Sequence, residues 1–328
     1  MQAWRIHRAG EPRVVLTLEE VAPPETPPGM VRVRVAAAGV GLPDVLMCRG
    51  SYPLTPPGPF TPGQEVTGEV IEAGEGAAAR VGQRVMAVTG FYLGHGSFAA
   101  ECLAQGDFAL EVPDEMEDPE AACFAIPFHT AWVGLVRRAR IEPGETLLVL
   151  GAAGGTGCAA LQLGKALGAR VIAVVGDGGR AAFCRELGAD VVIDRSASED
   201  LAGAIREATA GRGIDVAWDP VGGAAYDVAA ACMAAEGRLL LIGFASGQWG
   251  RPSPAHMVGG NYSVVGVIPS FYTLDVRRTA QTQLLDLWRA GSIRVPLHRT
   301  FDFARAPEAV AELAAGHVRG KLAIRGPG

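Results

Sequence analysis

Several features that would place a protein in a particular class are missing from this sequence. No apolar run approaches the roughly 20 residues of a membrane-spanning helix, so we expect no membrane segment. The first residues, Met1 to Arg5, lead directly into a predicted strand and lack the apolar core of a signal peptide, so we expect no signal peptide. The net charge is −6 and no long basic block occurs, which argues against general nucleic-acid binding. The 6 cysteines show no pairing pattern, so we expect reduced thiols and a cytoplasmic location.

The length of 328 residues favours two domains, and the pattern of predicted strands, helices and turns changes near residue 125. In residues 1–124, short strand-like segments alternate with turns rich in Pro and Gly, which predicts a barrel-like, mainly antiparallel β domain. In residues 125–266, apolar strands alternate with helices that end in Gly, which predicts an α/β domain with a doubly wound parallel sheet of the Rossmann type. We expect residues 267–328 to return to the N-terminal domain.

The most informative stretch combines a strand, a glycine-rich turn and a helix. Thr146 to Leu150 is predicted as a buried strand, and Gly151 to Gly157 follow as the turn. Such a turn lets backbone N–H groups approach a dinucleotide pyrophosphate at the start of the helix. An α/β domain that binds nothing at this turn is the alternative. The residues predicted to bind the cofactor here are Ala153, Gly154, Gly155, Thr156 and Gly157.

These residues resemble those of the medium-chain dehydrogenases/reductases, in particular the zinc-free quinone oxidoreductase and zeta-crystallin branch. The likeness is strongest from Gly144 to Lys165, and it continues in the segments Pro43 to Tyr52, Pro62 to Gly68 and Gly320 to Leu322. It covers essentially the whole chain. The resemblance implies a GroES-like N-terminal domain, a nicotinamide cofactor and a homodimer.

The residues at the zinc positions of the related alcohol dehydrogenases differ here. Gln64 stands where those enzymes have a His, Gly39 to Leu42 contains no Cys, and Cys102 stands alone where a structural zinc needs four thiolates. We therefore expect no metal. Without a Lewis acid to stabilise an alkoxide, hydride transfer to an already electrophilic acceptor is the easier reaction. Quinones and α,β-unsaturated carbonyls are acceptors of this kind.

The choice between NADPH and NADH depends on the end of the second predicted strand. A site that prefers NAD usually has an acidic residue about 20 positions after the glycines, and Val175 stands there instead. Gly176 leaves room for a 2′-phosphate, and the resemblance places Arg180 and Arg195 at that phosphate. Together these residues favour NADPH. Asp177 is a departure from the family pattern, because its carboxylate would repel the phosphate unless an Arg pairs with it.

The resemblance also implies the remaining site residues. Tyr52 matches a Tyr near the nicotinamide and the acceptor, although a packed aromatic is the alternative. Asp44 and Gln64 would line the region where zinc ligands lie in relatives, or they are structural hydrogen-bonding groups. The further predicted cofactor contacts are Thr130, Phe244, Ala245, Val267 and Ile268.

The sequence thus predicts an NADPH-dependent quinone oxidoreductase that acts on a small electrophilic acceptor without zinc. A 2-enoyl-thioester reductase is the alternative among enzymes, and it would need a proton donor, for which Tyr52 is the obvious candidate. A NADPH-binding protein with little turnover is the alternative from another class.

Overall fold

The computed structural model describes residues 1–328, which divide into two compact units. Unit 1 consists of Met1–Ile126, Thr273–Arg278 and Val295–Gly328, and unit 2 consists of Pro127–Tyr272 and Thr279–Arg294. The strands are β1 (Gln2–Ile6), β2 (Leu16–Glu20), β3 (Met30–Val40), β4 (Glu65–Ala73), β5 (Arg84–Val88), β6 (Glu101–Gln105), β7 (Leu110–Glu111), β8 (Thr146–Val149), β9 (Arg170–Val175), β10 (Val191–Asp194), β11 (Ile214–Asp219), β12 (Met233–Leu241), β13 (Ser263–Gly266), β14 (Leu297–Phe301) and β15 (Lys321–Arg325).

The helices are short except for two. They are α1 (Pro12–Val15), α2 (Leu42–Cys48), α3 (Asp118–Ala121), α4 (Ala125–Trp132), α5 (Gly155–Ala166), α6 (Ala181–Glu186), α7 (Leu201–Ala208), α8 (Ala224–Ala230), α9 (Pro254–Gly260), α10 (Leu274–Arg289) and α11 (Ala306–Ala314). A π-helical segment, Val133–Ala139, follows α4. None of these helices has the length and apolarity needed to cross a bilayer.

Unit 1 is built on a sheet with the strand order β14-β15-β3-β4-β5-β7, and β6 pairs with β3. All its pairs are antiparallel except β14 with β15. The sequence of β3 explains its central place, because Val31, Val33 and Val35 alternate toward the core and are at most 5% exposed. The mainly antiparallel domain predicted from the sequence is confirmed.

Unit 2 contains a parallel sheet with the order β10-β9-β8-β11-β12-β13. The apolar strand β8 is central, and Leu147, Leu148 and Val149 are fully buried, as a strand covered on both faces requires. The chain order runs outward in opposite directions from β8 and β11. The carboxyl ends of these two strands therefore form the topological switch point at which such sheets bind ligands. The predicted Rossmann-type sheet is confirmed.

The C-terminal segment departs from the predicted partition. The sequence predicts that residues 267–328 return to the N-terminal domain; Thr273–Arg278 and Val295–Gly328 lie in unit 1, whereas Thr279–Arg294 belongs to unit 2. Buried polar contacts explain the difference. The Gln281 Oε1 lies 2.8 Å from the His129 Nε2, and the Arg294 N–H donates to Gln162 at 3.0 Å. Such long-range pairs are not visible in the periodicity of the sequence.

Candidate functional site

Most of the predicted cofactor residues follow the carboxyl ends of the parallel strands in unit 2. The glycine turn follows β8, Gly176 follows β9, and Arg195 follows β10. Phe244 and Ala245 come after β12, while Val267 and Ile268 come after β13. Since carboxyl ends of parallel strands share one edge of a sheet, the fold brings these residues to the same edge.

The glycine turn has the geometry of an anion-binding loop. Gly154 precedes α5 in an extended conformation, with φ −84° and ψ 170°, and no side chain caps the helix. A Cβ at Gly157 would overlap the carbonyl oxygen of Gly151, so only glycine permits this close passage. Gly154 is exposed, and the uncapped N–H groups at the start of α5 are available to phosphate oxygens. A pyrophosphate therefore fits this turn.

Gly176 lies between the two arginines that the sequence singled out. A Cβ on Gly176 would be 3.1 Å from the Arg180 Nη1 and 4.0 Å from the Arg195 Nη2. The Arg180 side chain is 18% exposed, and its Nη1 lies 3.0 Å from the Asp177 Oδ2. The structure thus brings two guanidinium groups together beside a glycine, and Asp177 pairs with one of them. We call Gly176, Asp177, Arg180, Asp194 and Arg195 the arginine pocket.

Asp194 is a member of this pocket that the sequence analysis missed. Its Oδ1 accepts from the backbone N–H and from the hydroxyl of Ser196, both at 2.8 Å. The hydrogen bond from the Ser196 hydroxyl is the largest cause that lowers the pKa of Asp194, and nearby backbone N–H groups lower it further. The pattern Asp-Arg-Ser at a strand end is a known turn signal and could have identified it.

The remaining cofactor candidates occupy loops and one helix. Phe244 packs on Trp249, with ring centroids 4.7 Å apart, and the Ala245 N–H donates to the Pro220 carbonyl at 3.0 Å. The Val267 N–H donates to Leu241, and Ile268 is 50% exposed. Thr130 lies in α4 and is 7% exposed, so it is the most enclosed of this group.

The three candidates for catalysis, Asp44, Tyr52 and Gln64, lie together in unit 1. Asp44 is 1% exposed and accepts the N–H of Gly41 at 2.8 Å and the N–H of Gly63 at 2.9 Å. Burial is the largest influence and raises the pKa of Asp44 to about 7. The two backbone bonds make this carboxyl a link between the start of α2 and the segment before β4.

Tyr52 and Gln64 face each other beside this carboxyl. Burial is the largest influence and raises the pKa of the Tyr52 hydroxyl, the nearby Gln64 lowers it in part, and Asp44 raises it further. The Tyr52 ring packs at a tilt on Phe91, with centroids 6.2 Å apart. The Gln64 Nε2 is buried and has no well-directed hydrogen-bond partner. An amide donor of this kind can serve an oxygen of a bound molecule.

A buried ion pair lies next to these residues. Lys321 contacts the Glu65 Oε2 and donates to the Val40 carbonyl at 3.0 Å, while the Glu65 Oε1 accepts the Ile126 N–H at 3.2 Å. Burial is the largest single influence and lowers the pKa of Lys321, but Glu65, together with Cys123 and Asp44, leaves that pKa raised. No three side chains of His, Cys, Asp or Glu lie close enough together to hold a metal ion.

Comparisons with known proteins find two family models that match this chain. Residues 27–114 match the family model described as the alcohol dehydrogenase GroES-like domain. Residues 155–283 match the model described as zinc-binding dehydrogenase. The two matches fall on the antiparallel sheet of unit 1 and on the parallel sheet of unit 2 respectively.

Among curated proteins, the chain is 34% identical to quinone oxidoreductase-like protein 2 of Mus musculus over 275 residues, which are 81% of this chain and 77% of that protein. It is 32% identical to prostaglandin reductase-3 of Bos taurus over 294 residues, 86% of this chain and 75% of that protein. Among solved structures, Escherichia coli quinone oxidoreductase complexed with NADPH superposes with a TM-score of 0.89 at 26% identity, covering 99% of this chain and 100% of that one.

Proposed function

Because the chain belongs to the quinone oxidoreductase branch of the medium-chain dehydrogenase/reductase family, we propose that it is an NADPH-dependent quinone oxidoreductase. It transfers hydride without zinc to a quinone or to an activated α,β-unsaturated carbonyl. The observation that carries this proposal is the approach of Arg180 and Arg195 to Gly176, next to the strand that follows the glycine turn. Two guanidinium groups beside a residue with no side chain suit a 2′-phosphate.

The residues of unit 2 bind and orient the cofactor in this proposal. The turn from Ala153 to Gly157 receives the pyrophosphate at the start of α5, and the arginine pocket receives the 2′-phosphate. Thr130, Phe244, Ala245, Val267 and Ile268 contact the remainder of the molecule. The resemblance to a quinone oxidoreductase crystallised with NADPH supports the same cofactor for this chain.

The residues of unit 1 act on the acceptor. The bound nicotinamide supplies the hydride, and the protein supplies hydrogen bonds and protons. The Gln64 Nε2, which is buried without a well-directed partner, donates to the acceptor oxygen. The Tyr52 hydroxyl carries a proton at neutral pH, as an ordinary Tyr does, and it can give that proton to the reduced product. Asp44 positions Gln64 by holding the preceding N–H of Gly63.

A second candidate is a reductase of activated alkenes, of which 2-enoyl thioesters are one class. The similarity to a prostaglandin reductase favours it, because a prostaglandin is a lipid rather than a quinone. The α-carbon of an alkene must receive a proton, so this reaction depends on Tyr52 more than quinone reduction does. A NADPH-binding protein with little turnover is the third possibility, and it predicts binding without oxidation of the cofactor.

We also propose a cytoplasmic homodimer. The strand β13 pairs only with β12, so one edge of the parallel sheet is open to a second copy of the chain. The six cysteines are all free and buried, which fits a reducing compartment. Size measurement in solution at several protein concentrations tests the dimer.

The function is tested by NADPH oxidation with a panel of quinones, enones and enoyl-CoA esters. We expect the highest kcat/KM with a quinone and a large loss in Arg180→Ala. Tyr52→Phe should lower alkene reduction far more than quinone reduction. Highest activity with an enoyl-CoA ester would favour the second candidate, and tight NADPH binding with no oxidation of any acceptor would favour the third.

A further inference from the structure

The arginine pocket contains two carboxylates, and their contacts differ. We propose that Asp177 and Asp194 have opposite effects on a bound 2′-phosphate: Asp177 competes with the phosphate for Arg180, whereas Asp194 is a positioning residue that holds together the two segments carrying Arg180 and Arg195. The inference rests on the proposed function, since it concerns the group that distinguishes NADPH from NADH.

Asp177 forms an ion pair with the guanidinium of Arg180, the group to which the 2′-phosphate would bind. Its Oδ2 lies 3.0 Å from the Arg180 Nη1, and the same Nη1 is the atom nearest to the Cβ position of Gly176. The carboxylate is 52% exposed, whereas the Arg180 side chain is 18% exposed. The acid can therefore turn outward into water while the guanidinium stays in the pocket. Binding of the phosphate then replaces one anionic partner of Arg180 by another.

Asp194 has a different set of partners. The strand pairing places Asp194 beside Val175, so the segments after β9 and β10 start next to each other. One side of the carboxylate accepts from the Ser196 backbone and hydroxyl, in the turn that begins with Arg195. Its Oδ2 lies 3.1 Å from the position that a Cβ on Gly178 would take, in the turn that leads to Arg180. One carboxylate therefore lies against both arginine-bearing turns, and it is hydrogen-bonded to the turn that begins with Arg195.

Charge alone would give the two residues the same effect. Each carries one negative charge in the same pocket, so removal of either should strengthen the binding of an anion. The contacts predict different results, because loss of the Asp177 charge removes an anionic partner of Arg180, while loss of the Asp194 acceptor separates the two turns. The variants Asp177→Asn and Asp194→Asn thus form a matched pair with equal changes in charge and size.

The experiment is calorimetric titration of the full chain with 2′,5′-ADP and with 5′-AMP, which lacks the 2′-phosphate, at one ionic strength. For Asp177→Asn we expect the Kd of 2′,5′-ADP to fall about three- to tenfold. For Asp194→Asn we expect it to rise about tenfold, since an amide cannot accept at both oxygen positions. The Kd of 5′-AMP should change less than about twofold in both.

A less disruptive variant tests the same contact in case Asp194→Asn does not fold. Ser196→Ala removes one hydrogen bond to Asp194 and no charge, and it should weaken 2′,5′-ADP about two- to fivefold. If both Asp variants strengthen 2′,5′-ADP, or if both leave it unchanged while Arg180→Ala weakens it, the inference is overturned and the proposed function stands. If wild-type protein binds 2′,5′-ADP no better than 5′-AMP, the phosphate pocket of the proposed function is itself wrong.

Discussion

Lys321 and Glu65 are 256 residues apart in the chain and form an ion pair inside unit 1. The sheet explains the contact, because Gly39 of β3 pairs with Glu65 on one side and with Ala323 of β15 on the other. The two side chains are only 8% and 3% exposed. The last strand of the chain is thus tied to the segment that carries Gln64, next to the candidate acceptor site.

Removal of the Lys321 charge should destabilise the protein strongly. Lys321→Met leaves the Glu65 carboxylate buried without its cation, and the free energy of unfolding should fall by about 3–5 kcal/mol. Urea unfolding of both proteins measures the difference. Addition of Glu65→Gln to Lys321→Met should recover part of the loss, because the double variant buries no uncompensated charge.

A surface pair is the control for this measurement. Arg34 and Glu69 are 2.9 Å apart, with side chains 63% and 50% exposed, so Arg34→Met should cost less than about 1 kcal/mol. Equal losses in Lys321→Met and Arg34→Met would show that burial of the first pair has no energetic importance.

The local parts of this structure could be predicted from the sequence. The glycine turn before α5 depends on residues adjacent in the chain, and the alternation of β3 identifies its buried face. The resemblance to a family led to Arg180 and Arg195, and the structure brings both to Gly176. Their roles in binding a phosphate stay a prediction.

The contacts between distant segments could not be predicted. The alanine-rich stretch 224–235 favours one helix, but α8 ends at Ala230 because Met233 pairs with Ile214 in the sheet. Similarly, the composition of α10 gives no sign that Gln281 bonds His129. The turn signal at Asp194 is local, but its approach to Gly178 joins segments after two strands that only the fold makes neighbours.

The purified protein should contain less than stoichiometric zinc. Gln64 stands at the position of a zinc-ligating His, and no cluster of metal-binding side chains surrounds it. Elemental analysis should find well below one zinc per chain, and a chelator should leave NADPH oxidation unchanged. Gln64→His should bind no more zinc, since one imidazole is not a tetrahedral site. One tightly held zinc per chain would contradict the metal-free proposal.

Two glycines of the turn should respond differently to substitution. Gly154 has an ordinary extended backbone and is exposed, so Gly154→Val should keep the fold and lower NADPH affinity about thirtyfold or more. At Gly157 a Cβ overlaps the Gly151 carbonyl, so even Gly157→Ala should cost about 1–3 kcal/mol of stability. Thermal unfolding and NADPH fluorescence titration separate the two effects.

The control for the glycine variants is Gly259→Ala, where a Cβ meets nothing within 4 Å. It should change neither stability nor affinity appreciably. Wild-type NADPH affinity in Gly154→Val would mean that the pyrophosphate does not bind at this turn.

The stability of the protein should depend on pH through Asp44. The carboxyl has a pKa of about 3.9 in an unfolded chain, and burial raises the pKa of Asp44 to about 7 in the folded protein. Between these values the folded chain holds a proton that the unfolded chain has lost. The free energy of unfolding therefore falls as pH rises from about 4 to about 7 and levels off above, by at most about 4 kcal/mol.

Comparison with Asp44→Asn isolates this contribution from other titrating groups. The variant loses one acceptor and is less stable overall, but the difference between wild type and variant should shrink as pH rises from about 5 to about 7. Urea unfolding at several pH values measures it. Asp286→Asn, at a side chain that is 70% exposed, should show no such change. A constant difference between wild type and Asp44→Asn across this range would mean that Asp44 is already ionised at pH 5.

Cofactor preference is the sharpest test of the arginine pocket. Arg180→Ala should raise the KM for NADPH much more than the KM for NADH, because only NADPH carries the 2′-phosphate. A partly buried charge-assisted contact contributes about 1.5–3 kcal/mol, which corresponds to a ten- to hundredfold loss of discrimination. The measurement is kcat/KM for both cofactors with one quinone at fixed ionic strength. Arg185→Ala, an exposed arginine of α6, is the matched control and should leave the ratio unchanged. If wild type prefers NADH, or if Arg180→Ala affects the KM of both cofactors equally, Arg180 does not bind the phosphate. Its ion pair with Asp177 would then be an ordinary surface contact with no role in cofactor preference.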